Sequence, residues 1–175
     1  MDYVALGAGC FWCSHAVFTE VRGVLSVESG YCNGQTVAPT YEQVCTGRTG
    51  HCEVVKLGYD PAQVAFQDLL EVFFTIHDPT TLNRQGHDVG TQYRSGIYWT
   101  LPEQELQAQA LLGEWSQKGY WKSPLVTEIA ALRNYQAAEE YHQDFFAKNP
   151  SQAYCLAVAA PKVAKFRQTL ARLQK

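Results

Sequence analysis

The order of apolar segments in the first hundred residues constrains this chain more than any other feature. Tyr3–Ala8 is a short apolar run that reads as a strand, and Ser14–Glu20 follows it as the start of a helix. Val24–Tyr31 and His51–Tyr59 carry the β-branched residues and alternation of strands, in which successive side chains face opposite sides. Val64–Phe74 sets Phe66, Leu69, Leu70 and Phe73 at i, i+3, i+4 and i+7, the spacing of a helix packed on a core. Ser95–Trp99 reads as the next strand. The order is β-α-β-β-α-β, the split βαβ arrangement of an α+β, ferredoxin-like core: a two-layer α/β sandwich with a mixed sheet and helices on one side. Beyond it, Pro102–Lys118 reads as an amphipathic helix, Val126–Ala130 as a short strand, Ala137–Phe146 as a helix stopped by Asn149-Pro150, and Pro161–Gln174 as a terminal helix. One domain over residues 1–175 is expected, with a core of about 3–155 and a C-terminal helical extension of 156–175.

Between the first strand and the first helix lies Gly9-Cys10-Phe11-Trp12-Cys13. A thiol at a strand-to-helix turn faces unpaired N–H groups and the positive end of the helix dipole. Both favour thiolate, so a lowered pKa is expected for Cys10. A buried structural cysteine is the plainer reading of any single Cys. The second thiol at Cys13, the turn position and the flanking aromatics favour a reactive sulfur in an apolar pocket.

Bulk properties narrow the classes. Hydrophobic residues make up 46%, which is ordinary globular content. The net charge of −3 and the absence of any Lys/Arg run argue against a nucleic-acid surface. No apolar run approaches the ~18 residues of a membrane span. The N-terminus lacks the basic region of a signal peptide, so a cytoplasmic setting is expected. Six cysteines (10, 13, 32, 45, 52 and 155) are then more readily redox-active, metal-binding or inert thiols than a disulfide framework.

Other residues complete a candidate constellation. Alternation along His51–Tyr59 puts Glu53 on a face with Val55, Leu57 and Tyr59, where a carboxylate must be partnered (Lys56 or Arg94 being available) or stay neutral. The long polar loop 77–92 carries Asp88, and loops of that length are commonly functional. Tyr41 and Tyr93 stand at loop edges, where a phenol keeps an apolar body and a free donor.

The chain resembles the A-type peptide-methionine sulfoxide reductases, which reduce the S epimer of methionine sulfoxide. The resemblance runs from about Val4 to Cys155. It is carried by Gly9-Cys10-Phe11-Trp12, Ser29-Gly30-Tyr31, Pro39-Thr40-Tyr41, Thr49-Gly50-His51-Cys52-Glu53 and Asp78-Pro79-Thr80. It continues through Asn83–Ser95, Ala138-Glu139-Glu140-Tyr141-His142-Gln143 and Lys148-Asn149-Pro150. The resemblance implies Cys10 as nucleophile on the sulfoxide sulfur and Glu53 as the acid that protonates its oxygen. It implies Tyr41 and Tyr93 as donors to that oxygen, and Phe11 and Trp12 as a seat for the S-methyl group. Asp88 and His142 are lining or supporting positions. It further implies a sulfenic acid on Cys10, condensed by a second thiol to a disulfide and recycled by an external dithiol such as thioredoxin or a glutaredoxin-type reductant. The substrate class is methionine-S-sulfoxide, free or in peptides and proteins. No cofactor, metal, nucleic acid or membrane is expected, and the protein is expected to be a monomer.

This sequence departs from the family pattern at the thiols. Cys13 stands where Gly is usual, Cys52 where Ala is common, and Ala153-Tyr154-Cys155 replaces Gly-Tyr-Cys. The resolving thiol is therefore Cys155 by position, Cys13 by proximity, or both in relay. Two other readings remain: a glutaredoxin- or thioredoxin-like oxidoreductase using Cys10 and Cys13, and a zinc module drawing on Cys10, Cys13, Cys32, Cys45, His51 or Cys52. The first lacks a suitably placed Pro loop, and the second has only one C-x-x-C pair.

Overall fold

In the computed structural model, which describes residues 1–175, every position of β1 (Asp2–Ala8) from Val4 onward is buried. That is what an unbroken apolar run produces when both faces of a strand are covered. The chain continues through α1 (Phe11–Phe18), β2 (Val24–Cys32), α2 (Tyr41–Cys45), β3 (Cys52–Tyr59) and α3 (Phe66–Ile76). Then come a small hairpin of β4 (Arg84–Gln85) and β5 (Asp88–Val89), followed by β6 (Ser95–Trp99) and α4 (Pro102–Gln117). β7 (Glu128–Ala131), β8 (Gln136–Ala137), α5 (Phe145–Lys148) and α6 (Ala160–Thr169) complete the chain.

The main sheet has six strands in the order β7-β6-β1-β3-β2-β8. β1 pairs antiparallel with β3 and β6, β3 pairs antiparallel with β2, and β7 joins β6 in parallel, so the sheet is mixed. The inner order β6-β1-β3-β2 is the expected split βαβ topology. One face, with Val4, Leu6, Val55, Leu57 and Ile97, packs on α1, α3 and α6 in the main core. The other face holds a smaller cluster of Ala5, Cys32, Cys52, Val54 and Tyr98, covered by Ala130, Leu132 and Tyr135. The alternation read along β3 is therefore real: Cys52 and Val54 face one way, and Val55 and Leu57 the other.

Several local expectations change. α1 begins at Phe11 rather than near Ser14, with Cys10 at the N-cap position, so Cys13 lies in its first turn. The 77–92 segment is not structureless: Gly86 turns the β4–β5 hairpin with a φ of 60°, and a 3₁₀ turn follows at Thr91–Tyr93. The helix expected over Ala137–Phe146 does not form. Its place is taken by β8, a 3₁₀ turn at Glu140–His142 and the short α5. Tertiary partners outcompete helix propensity there. Gln143 bonds both the backbone N and O of Ser29, Glu139 bonds Tyr31 and Tyr41, and Asp144 adopts a left-handed φ of 55°.

The C-terminal helix also ends early, at Thr169, and a 3₁₀ turn (Ala171–Leu173) follows. Val163, Phe166 and Leu173 are buried in the main core, and the Lys175 N–H reaches the Glu20 carbonyl at 2.9 Å. In β2 a register shift between Val24 and Ser26 turns Leu25 to solvent, although alternation assigns it to the face of Tyr31.

The turn that delivers Cys10 depends on Gly9. Its φ is 86°, and a Cβ there would sit 2.7 Å from Gln85 Cγ. Gln85 in turn clamps Asp78, accepting from its N–H at 3.0 Å and donating to its carbonyl at 2.9 Å. Gly9→Ala is expected to cost about 1–3 kcal/mol from the left-handed backbone alone, read as a lower urea midpoint with unchanged slope, and to lower activity by displacing Gln85.

Candidate active site at the start of helix α1

The strand-to-helix turn brings Cys10 to the edge of the sheet beside Glu53. Residue Cys10 is half-buried, whereas Cys13, one turn on, is fully buried. Glu53 projects from β3 opposite Tyr31 in the β2 register and is only 2% exposed. Its Oε1 accepts the Phe11 N–H at 3.3 Å, so the carboxyl occupies one of the free amides that open α1. Neither expected cation reaches it, and Arg94 pairs with Glu128 instead. Burial pushes the Glu53 pKa up to about 8, with smaller upward pushes from Asp88 and Cys13, against the lowering bond from Phe11. Below that pH it is a neutral acid.

Cys10 does not follow the expectation of a depressed pKa. Burial is the largest influence and raises it well above the ordinary thiol value. The hydrogen bond with Cys13 and the charge of Glu53 add to this, and the Trp12 amide lowers it only in part. A helix start favours thiolate, but a desolvated thiol beside a second thiol and a carboxyl keeps its proton. Cys13 moves the opposite way, lowered first by its hydrogen bond with Cys10 and further by Lys162 and Tyr154 against its own burial.

Aromatic side chains build the wall. Trp12 stacks on Phe145 with centroids 3.8 Å apart and planes at 7°, and Tyr154 meets it edge-on. The Trp12 indole N–H donates to His142 Nδ1 at 3.0 Å. Indole nitrogen only donates, so His142 presents a bare Nδ1 and carries its proton on Nε2. Burial lowers the His142 pKa and keeps the ring neutral. Phe11 packs against Tyr31, Tyr41 and His142. Tyr41 and Tyr93 are half-buried phenols whose pKa values are raised, first by burial and next, for Tyr93, by Glu53. Both therefore remain O–H donors.

The structure thus brings together Cys10, Phe11, Trp12, Cys13, Tyr41, Glu53, Asp88, Tyr93 and His142. Cys155 is buried and bears on Cys13, which after burial is what raises its pKa. Cys32 and Cys52 lie across the sheet, and no three or more His, Cys, Asp or Glu side chains are arranged to hold a metal ion.

Two participants were not singled out from sequence. Glu139 accepts from Tyr31 Oη and from the Tyr41 N–H, both at 2.9 Å, and so positions the two rings beside Phe11. Tyr154 donates to Asp88 at 2.6 Å and lies 3.9 Å from the Cys13 sulfur. Glu139 sits inside a stretch that carries the resemblance and Tyr154 inside the departing Ala153-Tyr154-Cys155, but only the fold shows what they touch. No helix is long and apolar enough to cross a membrane.

A thiol on a half-buried residue, a buried neutral acid, two phenols and an aromatic wall can deliver a proton to an oxygen while sulfur is attacked. Comparison with known proteins agrees with that chemistry. The family model described as peptide methionine sulfoxide reductase matches residues 2–174. The chain is 46% identical to the MsrA enzyme of Chromobacterium violaceum over 99% of this chain and 98% of that one. It is 52% identical to that of Haloquadratum walsbyi over 96% and 95%. Among solved structures, methionine sulfoxide reductase A of Corynebacterium diphtheriae superposes with a TM-score of 0.82 at 38% identity, covering 86% of this chain and 76% of that one. Reduced Mxr1 of Saccharomyces cerevisiae does so with a TM-score of 0.80 at 34% identity, covering 87% and 88%. The chain belongs to the peptide methionine sulfoxide reductase family, in its MsrA branch, and is a peptide-methionine (S)-S-oxide reductase.

Proposed function

We propose that Cys10 attacks the sulfur of methionine-S-sulfoxide while Glu53 protonates the oxygen. The observation that carries this reading is Glu53 itself, 2% exposed, neutral below about pH 8 and fixed by the Phe11 N–H beside the thiol. Tyr41 and Tyr93 donate to the same oxygen, and Phe11 and Trp12 seat the S-methyl group, with Trp12 held by His142 and Phe145. Asp88 lines the site through Tyr154. As the Cys10 sulfur gains the oxygen, the substrate S–O bond breaks. The proton of Cys10 replaces the one that Glu53 gave away. Thiol plus sulfoxide become sulfenic acid plus thioether, and Glu53 ends as it began.

Cys13 resolves the sulfenic acid in this reading. Its support is its place in the first turn of α1, where its N–H donates to the Cys10 carbonyl at 3.2 Å, together with a pKa lowered first by Cys10, whereas Cys155 bears on Cys13. The resulting Cys10–Cys13 disulfide is opened by an external dithiol at Cys10, the less buried residue of the pair. Yeast Mxr1 has been crystallised with Trx2, which supports a thioredoxin in that role. Six thiols in one chain suit a reducing cytoplasm.

Cys10→Ser is expected to yield no methionine in a single turnover without reductant, and one equivalent formed by that variant would sink the assignment. Glu53→Gln is expected to lose roughly 10²–10⁴ in the same step. Wild-type rate should fall as pH rises through about 8, where Glu53 ionises, and the Gln variant should lack that limb. The raised pKa also has a stability consequence. Stability from neutral Glu53 is complete below the unfolded carboxyl value of about 4.5 and is lost as pH climbs toward 8. The difference in thermal midpoint should therefore move in favour of Glu53→Gln across that window. In turnover with a thioredoxin system, Cys13→Ser is expected to slow recycling far more than Cys155→Ser. The reverse order would transfer the resolving role to Cys155.

A further inference from the structure

We propose that Tyr154 and Asp88 form a proton relay that activates Cys13 for the resolving step. The inference rests on the reading of Cys13 as the resolving thiol. Its basis is a directional chain of contacts. The Cys13 thiol points at Tyr154 Oη across 3.9 Å, and that hydroxyl donates to Asp88 Oδ2 at 2.6 Å. Every bond in this chain runs the same way, from sulfur to phenol to carboxylate.

The relay is needed because the first half-reaction changes the surroundings of Cys13. In the resting enzyme its main stabilising partner is the Cys10 thiol. Once Cys10 carries the sulfenic oxygen, that S–H no longer exists. Cys13 is fully buried, so water cannot take its proton directly. Of the groups that face Cys13, Cys10 is spent, Cys155 is itself a buried thiol with a raised pKa, and Lys162 of α6 is a cation that steadies an anion but accepts no proton. Glu53, on the β3 side, has just completed its proton exchange. Tyr154 is the remaining hydrogen-bonding partner, and it leads to half-buried Asp88 on the β4–β5 hairpin. The phenol is held far above its ordinary range by burial, the thiols and Asp88. It therefore passes a proton on without becoming a stable phenolate.

The step balances. Cys13 gives its proton to Tyr154 Oη as Tyr154 gives its own to Asp88. The Cys13 sulfur attacks the Cys10 sulfur, the S–O bond breaks, and the departing hydroxide takes one proton from solvent to leave as water. Asp88 returns its proton to solvent. The sulfenic sulfur is reduced, Cys13 is oxidised, and the sum is sulfenic acid plus thiol giving disulfide plus water.

The test is rapid-quench kinetics on the full chain with one equivalent of peptide methionine-S-sulfoxide and no reductant. Tyr154→Phe keeps the ring that meets Trp12 and removes only the hydroxyl. The expected result is that disulfide formation slows at least about tenfold more than the methionine burst does, and dimedone traps sulfenic acid on Cys10. In the variant the disulfide rate should also climb with pH, as hydroxide replaces the relay, while the wild-type rate stays flatter. A Cys10–Cys13 disulfide formed at the wild-type rate and with the wild-type pH profile, or equal slowing of burst and disulfide, would overturn the relay. Mass mapping separates the deeper failure: a first wild-type disulfide joining Cys10 to Cys155 removes the reading of Cys13 and the relay with it.

Discussion

One hydrogen bond ties the sheet to the chemistry: the Phe11 N–H at the start of α1 donates to the Glu53 carboxyl on β3. A carboxylate at a helix N-terminus is ordinarily stabilised as an anion, by about 0.3–1 kcal/mol and up to ~2 in partly buried settings. Here the opposite outcome holds. The rise from 4.5 to about 8, at about 1.4 kcal/mol per unit, exceeds what the helix start can offer. Desolvation wins because Glu53 has no cation partner and stands on the core-facing side of β3. A strand position chosen by alternation thereby becomes an acid that keeps its proton at neutral pH.

The same competition governs Cys10, where burial and neighbouring groups again outweigh the helix start. The resting site holds protons on both groups. That suits the reaction, since reduction of a sulfoxide by a thiol consumes no net proton. A permanently ionised thiolate would need an outside proton for the departing oxygen. A thiol paired with a neutral acid carries the required protons within the site. The aromatic wall serves both needs, since Phe11, Trp12, Tyr41 and His142 exclude water from the groups whose protons must stay in place.

Much of this was legible in the residues. Alternation along His51–Tyr59 correctly put Glu53 on the apolar face, and the β-α-β-β-α-β order gave the inner sheet. The element that failed, a helix over Ala137–Phe146, failed because Glu139 and Gln143 spend their polar groups on Tyr31, Tyr41 and Ser29, more than a hundred residues away for two of the three. Local pattern carries no information about partners so distant in sequence. The direction of the Cys10 shift was misread for a related reason. The helix dipole is a local feature visible in sequence, while desolvation depends on what the whole chain packs over the turn. Tyr154 belongs to the same class: its place beside Cys13 and Asp88 exists only once the C-terminal segment folds back across α1.

The six cysteines show how strand parity and helix register sort identical side chains. Cys10 and Cys13 are three apart at a helix start, so both face the acid side of the sheet. Cys32 and Cys52 stand opposite each other in the β2–β3 register, but on the other face, inside a dry cluster. Cys52 is pushed up to about 11 by burial and hydrogen-bonds the carbonyls of Glu53 and Arg94 at 3.4 Å. It acts as a small buried donor beneath the acid rather than as a nucleophile. Moving a cysteine by one strand position would carry it to the opposite face, into or out of reach of Cys10. The number of thiols near the N-terminus therefore says little about the redox chemistry; their parity along β2 and β3, and their turn along α1, decide which of them take part.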